Sequence, residues 1–223
     1  MKNGGRTAVL RGIGHIGPVG FYRMVQNEMD QAVAAGSQVF YEGVADDGTA
    51  VFESKKERKI KKVVAQIATH EARPEKSLVL DTVVYPNSAI RADVSLAELV
   101  RELAREGFDP NPLLLLLEQP EETQGPFWWL MFLASGHDRR NGPKPNWIIV
   151  WLAKFISWLF SFRVLDSVLL NYRNEFAVRE IAKQPNGDIL VHYGEAHISG
   201  IRALMEAAGW TVEKIERFDF FDL

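Results

Sequence analysis

Two short segments of this chain share one arrangement, although most of its length lies between them. Thr7-Ala8-Val9-Leu10-Arg11-Gly12-Ile13-Gly14-His15 reads as a strand running into a Gly-x-x-His turn, with a helix after it. Asp188-Ile189-Leu190-Val191-His192-Tyr193-Gly194-Glu195-Ala196-His197 repeats that pattern near the C-terminus. In an open α/β sheet, ligands bind in the crevice outside the carboxyl ends of the strands. A histidine delivered there twice, each time beside a glycine, is a means of bringing ligating or proton-transfer groups to such a crevice. The expected fold class is therefore α/β, with a central mixed sheet flanked by helices.

The length of 223 residues suits one domain, 1–223, large enough to bury a real core. With 47% hydrophobic and 25% charged residues, the composition is that of a globular protein. A net charge of -3 removes the electrostatic case for nucleic acid as a partner. The lack of cysteine excludes disulfides, thiolate metal sites and a cysteine nucleophile. Met1 to Arg6 leads directly into the first strand without the apolar region or cleavage site of a secretory signal, so a cytoplasmic location is expected.

Along the chain, Phe21, Val25, Met29 and Val33 fall at four-residue spacing and predict a helix with that face on the core. Gly36 closes it, and Gln38 to Gly43 reads as a second strand carrying Glu42 at its carboxyl end. Residues 53–71 form a helix whose lysines mark a solvated face. Leu78 to Val84 is a candidate strand, and Asp93 or Ser95 caps a helix running through Leu103 to Gly107. Leu113 to Leu117 is a core helix or strand. The middle of the domain, roughly 95–185, reads as a largely helical insertion.

Residues 147–162 are the most apolar stretch, broken by Lys154. The run falls short of the ~20 residues that spanning a bilayer requires. It is expected to be a buried core helix or a homo-oligomer interface, with membrane-surface contact as the alternative. A helical pattern then runs from Val164 through Leu169, Leu170, Phe176 and Ile181 to a turn at Pro185-Asn186-Gly187. Strand 188–193, helix 199–208 and a strand from Thr211 to about Phe218 close the chain.

Gly12-Ile13-Gly14-His15-Ile16-Gly17 also spells the dinucleotide fingerprint, with Glu42 ending the next strand. Phe21 is bulky where close helix–strand packing asks for a small residue, and no regular βα series follows. A dinucleotide site also leaves the second Gly-x-x-His unexplained, so the fingerprint is set aside.

His15, Glu42 and His197 each stand at the carboxyl end of an expected strand. If those strands are neighbours, the set suits a divalent metal with open positions, or a metal-free His/Glu pair that activates water. Arg173 and Asn174 interrupt a helix whose neighbours face the core. The guanidinium is suited to a substrate carboxylate or an oxyanion, or to a structural pair with Glu42 or Glu175. His70, His137 and His192, and the tyrosines Tyr22, Tyr41 and Tyr172, have no spacing that assigns them a role.

The order Gly12-x-x-His15, Tyr41-Glu42-Gly43, Arg173-Asn174 and Gly194-Glu195-Ala196-His197-Ile198-Ser199-Gly200 resembles the TraB/PrgY/GumN family, which includes the TIKI proteases and lies near the erythromycin esterase-like and ChaN haem-binding proteins. The resemblance covers both ends and the late helix. One departure is Tyr172, where the family often has an acidic residue. The resemblance implies an α/β fold, a site of His15, Glu42, Arg173, Asn174 and His197, and metal-dependent peptide cleavage. The divalent ion, expected to be manganese, cobalt or zinc, would be held by His15, Glu42 and His197. The leading expectation is a metal-dependent hydrolase acting on a peptide or small molecule. A non-catalytic peptide- or haem-sequestering protein and a metal-independent esterase are the alternatives.

Overall fold

The computed structural model describes residues 1–14, 19–46, 48, 51–52, 54–71, 83–111, 114, 164 and 167–216. Among them is a five-stranded mixed sheet in the order β1-β2-β5-β3-β4, within an α/β fold. The strands are β1 (Lys2–Asn3), β2 (Arg6–Ile13), β3 (Gln38–Tyr41), β4 (Ile90–Arg91) and β5 (Ile189–Gly194). β1 turns back on β2 through Gly4 and Gly5, whose φ values of 55° and 88° suit a tight hairpin. The other four strands run parallel.

β5 lies in the middle and is buried on both faces, as its unbroken apolar run of Ile189, Leu190 and Val191 requires. On one face, Ala8, Phe40, Val191 and Tyr193 pack against Ala177 and Ile181 of α4 (Arg173–Ala182) and Ile201 and Met205 of α5 (Glu195–Ala207). On the other, Ile13, Val39 and Leu190 pack against Phe21, Val25 and Met29 of α1 (Val19–Ala34). A third cluster joins α2 (Lys55–Glu71) to α3 (Leu96–Arg105) through Ile60, Val63, Leu99 and Leu103, with Val168 beside them.

Several local expectations shift. Phe21, Val25 and Met29 are buried, but Val33 is 36% exposed. Steps of four residues overshoot a helical turn by about 40° each, so the fourth member has rotated off the core face. Arg173 and Asn174 do not interrupt the buried face of α4; with Ala177 and Ile181 they form it. A π-helical segment, Ser167–Tyr172, precedes α4, and its wider turn rotates α4 out of phase with Leu169 and Leu170, which are half-buried.

α5 begins at Glu195 rather than 199, so His197 lies in its first turn. Thr211 makes only an isolated antiparallel bridge to Lys2, and 212–216 are not a strand. β4 is not among the expected strands, while Val83 and Val84 at the end of the Leu78 to Val84 run are not in a strand. Of Leu113 to Leu117 only Leu114 is described, and it is buried. The expectations for 147–162 and His137 lie outside the described residues. No helix among the described residues is long and apolar enough to cross a membrane.

Candidate functional site

The parallel register brings the four strand ends to one rim. Ile13 of β2 stands opposite Gly194 of β5, while Tyr41 of β3 pairs with His192 of β5 and Arg91 of β4. Glu42 comes directly after Tyr41, and its amide donates to the His192 carbonyl at 3.0 Å, extending the ladder by one residue. Alternation puts its side chain on the same face as Phe40, towards α4 and α5. The chain leaving β4 places Asp93 on the same rim.

Three charges meet there. Arg173 Nη2 donates to Glu42 Oε1 and to Asp93 Oδ2, each at 2.6 Å, and Arg173 Nε donates to Asp93 Oδ1 at 3.0 Å. Asp93, 2% exposed, also accepts from the amides of Gly43 and Val94 at 3.0 and 2.8 Å. The second Glu42 oxygen accepts from the Gly194 amide at 2.5 Å. Burial pushes the Glu42 carboxyl up, but Arg173 and the Gly194 amide, with His197 whenever its ring is protonated, outweigh it and hold the group below the ordinary glutamate range. Burial works against the Arg173 charge, and Asp93 with Glu42 reverses this and raises its pKa.

His197 is gripped at both ring nitrogens. Nδ1 lies 2.7 Å from Asn174 Oδ1, and Nε2 lies 3.3 Å from Arg173 Nη1 and 3.6 Å from Glu42 Oε1. A guanidinium nitrogen only donates, so Nε2 must accept and the proton sits on Nδ1, where the amide oxygen takes it. The Tyr193 ring meets the imidazole edge-on at 5.2 Å, and its hydroxyl donates to the Ala92 carbonyl next to Asp93.

The motif glycines serve close approach rather than turning: neither Gly12 nor Gly194 has a positive φ. A Cβ on Gly12 would stand 1.7 Å from the Glu195 carboxylate, and one on Gly194 would stand 2.9 Å from Glu42 Oε2. A Cβ on Gly200 would stand 2.2 Å from Asn174 Nδ2, so the glycine of Ser199-Gly200 admits the amide that holds His197.

Glu42, Arg173 and His197 are thus in mutual contact, and Asn174 joins them through His197. His15 lies outside the described residues, although β2 carries Ile13 to the rim beside Gly194. Asp93 is the member for which the sequence suggests only a helix cap. Ser95 is the cap of α3, in a reciprocal capping box with Glu98. That Ser-x-x-Glu spacing is the signal in the sequence that leaves Asp93 free for other work.

His192 sits on the opposite sheet face, fully buried, with neither ring nitrogen hydrogen-bonded among the described residues. Burial pushes its pKa down to about 4, so the ring is neutral. Tyr41 stacks on Tyr85 at 4.3 Å, and the Tyr22 hydroxyl donates to the Gly14 carbonyl at 2.6 Å.

Among the described residues no group of three His, Asp or Glu side chains could hold a metal ion. The two described donors, Glu42 Oε1 and His197 Nε2, both face the Arg173 guanidinium, at 2.6 and 3.3 Å. A divalent ion bound to both would meet the Arg173 cation, a repulsion that the Glu42 and Asp93 carboxylates offset. Arg173 thus occupies the space between the two described donors, and the third expected ligand, His15, lies outside the described residues.

Comparison with protein-family models, with curated proteins and with solved structures finds no match to this chain.

Proposed function

We propose that the protein is a hydrolase acting on a carbonyl substrate, a peptide or an ester, with His197 as general base and Arg173 as the donor to the developing oxyanion. The observation that carries this reading is the imidazole locked from both sides. Asn174 accepts at Nδ1 while Arg173 Nη1 meets the Nε2 lone pair, and the two contacts favour the same tautomer. A base oriented by a third group is the recurrent arrangement of acyl-transfer sites.

Arg173 has five N–H donors, and the contacts above use four of them. The fifth, on Nη1, has no partner among the described residues and lies on the nitrogen nearest His197 Nε2. A water that replaces Arg173 Nη1 as the donor to Nε2 would give up a proton as its oxygen attacks the carbonyl carbon, and the Nη1 hydrogens then turn to the carbonyl oxygen. Negative charge then grows on the carbonyl oxygen, where the free N–H stabilises it. The imidazolium stands beside ionised Glu42 and returns the proton to the leaving amine or alcohol. Glu42, with both oxygens accepting, suits stabilisation of this imidazolium better than the role of base.

The resemblance to the TraB/PrgY/GumN family supports peptide cleavage and differs over the metal. Turnover of a mixed-sequence peptide pool and of p-nitrophenyl acetate, in excess chelator, tests the reading. We expect hydrolysis to persist in chelator and to fall by ~10²–10⁴ in His197→Ala. Activity abolished by chelator and restored by manganese would favour the metal-dependent version instead. Retention of peptide with no product would assign the crevice to binding alone.

A further inference from the structure

We infer that Asp93 is a positioning residue, which aims Arg173 Nη1 at His197 Nε2 and so favours the tautomer in which Nε2 is unprotonated and accepts from the guanidinium. The inference deepens the hydrolytic reading and rests on it only for the use to which the base is put.

The geometry leaves Asp93 little freedom. Its two oxygens take Arg173 Nε and Nη2 side-on, at 3.0 and 2.6 Å. Two further bonds, from Gly43 N and Val94 N, fasten the same carboxylate to the chain leaving β3 and to the start of the α3 cap. A guanidinium held by its Nε and Nη2 edge can present only its Nη1 end elsewhere. That end meets His197 at 3.3 Å. Glu42 takes the other Nη2 hydrogen through a single oxygen, and this one bond leaves the guanidinium free to swivel. Asp93, with two oxygens on one edge and no exposed surface, therefore sets the direction.

The consequence can be read without any substrate. In ¹⁵N-labelled wild-type protein, the His197 ring should show a protonated Nδ1 and an Nε2 resonance displaced by a donor. In Asp93→Asn one charge-assisted bond is lost and the edge grip fails. The Nε2 resonance should then move towards the position of a lone-pair nitrogen without a donor, with the Nδ1-protonated tautomer less strongly favoured. Ser95→Ala, which removes the α3 cap two residues away, is the structural control and should leave His197 unmoved. Asp93→Glu keeps the charge but pushes the guanidinium out of line, and should shift Nε2 as well; it serves if Asp93→Asn does not fold.

A wild-type His197 protonated on Nε2 would overturn the inference without any variant. So would unchanged His197 resonances in a folded Asp93 variant, or a shift in Ser95→Ala as large as that in Asp93→Asn. Loss of hydrolysis with the expected resonances would count against the hydrolytic reading alone.

Discussion

The Asn174 amide lies directly over Gly200, with its Nδ2 2.2 Å from the point where a Cβ would stand. Helix α5 can approach α4 this closely only because that position has no side chain. The same amide presents its oxygen to His197 Nδ1 at 2.7 Å. A glycine inside a helix thus controls the orientation of the candidate base.

Gly200→Ala separates stability from activity. The added methyl forces Asn174 aside at an overpacking cost of about 1–3 kcal/mol, and the helix regains about 1 kcal/mol from the better propensity of alanine. The expected result is a net loss of no more than about 2 kcal/mol in urea denaturation, accompanied by at least a tenfold fall in hydrolysis as His197 loses its partner. Unaltered activity in a folded Gly200→Ala protein would remove Asn174 from the mechanism.

Arg173→Ala should be among the most damaging single changes. It strands Asp93, whose side chain is wholly buried, and leaves Glu42 with only the Gly194 amide and distant His197. Breaking a buried ion pair by removing one partner costs about 3–5 kcal/mol. Removing both Arg173 and Asp93, as Arg173→Met with Asp93→Leu, should recover part of that loss, because the more deeply buried of the two stranded carboxylates is gone. A double variant less stable than the sum of the singles would contradict this account.

His192 makes stability depend on pH. Its folded pKa of about 4 lies below the ordinary 6.5, so between these values the unfolded chain binds more protons than the folded one. Stability is therefore complete above about pH 6.5 and falls as the pH drops towards 4, by about 3 kcal/mol in all. Urea midpoints at pH 7 and pH 4.5 should differ in this direction. His192→Leu should flatten most of the difference and, having no buried unpaired nitrogens, should be at least as stable at pH 7. Any residual slope in that variant has the same sign for Glu42, whose depressed pKa makes its ionised form the one that folding favours.

Helix α1 offers a test of phase. Met29 is fully buried and Val33 is 36% exposed, although both belong to one four-residue series. Met29→Ala should cost about 2–5 kcal/mol and Val33→Lys no more than about 0.5 kcal/mol, measured by thermal or chemical unfolding.

Much of the scaffold is readable from residue order. The apolar run of β5, the strand carrying Glu42 and the lysine-rich helix α2 arise from short-range periodicity. The elements that escape have identifiable causes. The start of α5 is hidden because Gly194 ends a strand and caps a helix at one residue. The π-helical segment before Arg173 breaks the 3.6-residue count, and this conceals that Arg173 and Asn174 lie on the buried face. Ile90–Arg91 is too short to announce itself as a strand. Yet that strand delivers Asp93, 80 positions before its partner Arg173.

The paired Gly-x-x-His segments show where the boundary lies. Sequence alone determined that Glu42 and His197 come after β3 and β5, because alternation and glycine placement are local properties of the chain. Only the tertiary structure decided that β5 is inserted between β2 and β3, which is what brings those two residues within 3.6 Å. It also decided that Gly12 and Gly194 admit carboxylates rather than form turns, and that Arg173 stands between Glu42, Asp93 and His197. The reason is physical. A strand's pattern is written in its neighbours along the chain, whereas the partner of a buried charge depends on which distant segments the packed sheet sets side by side.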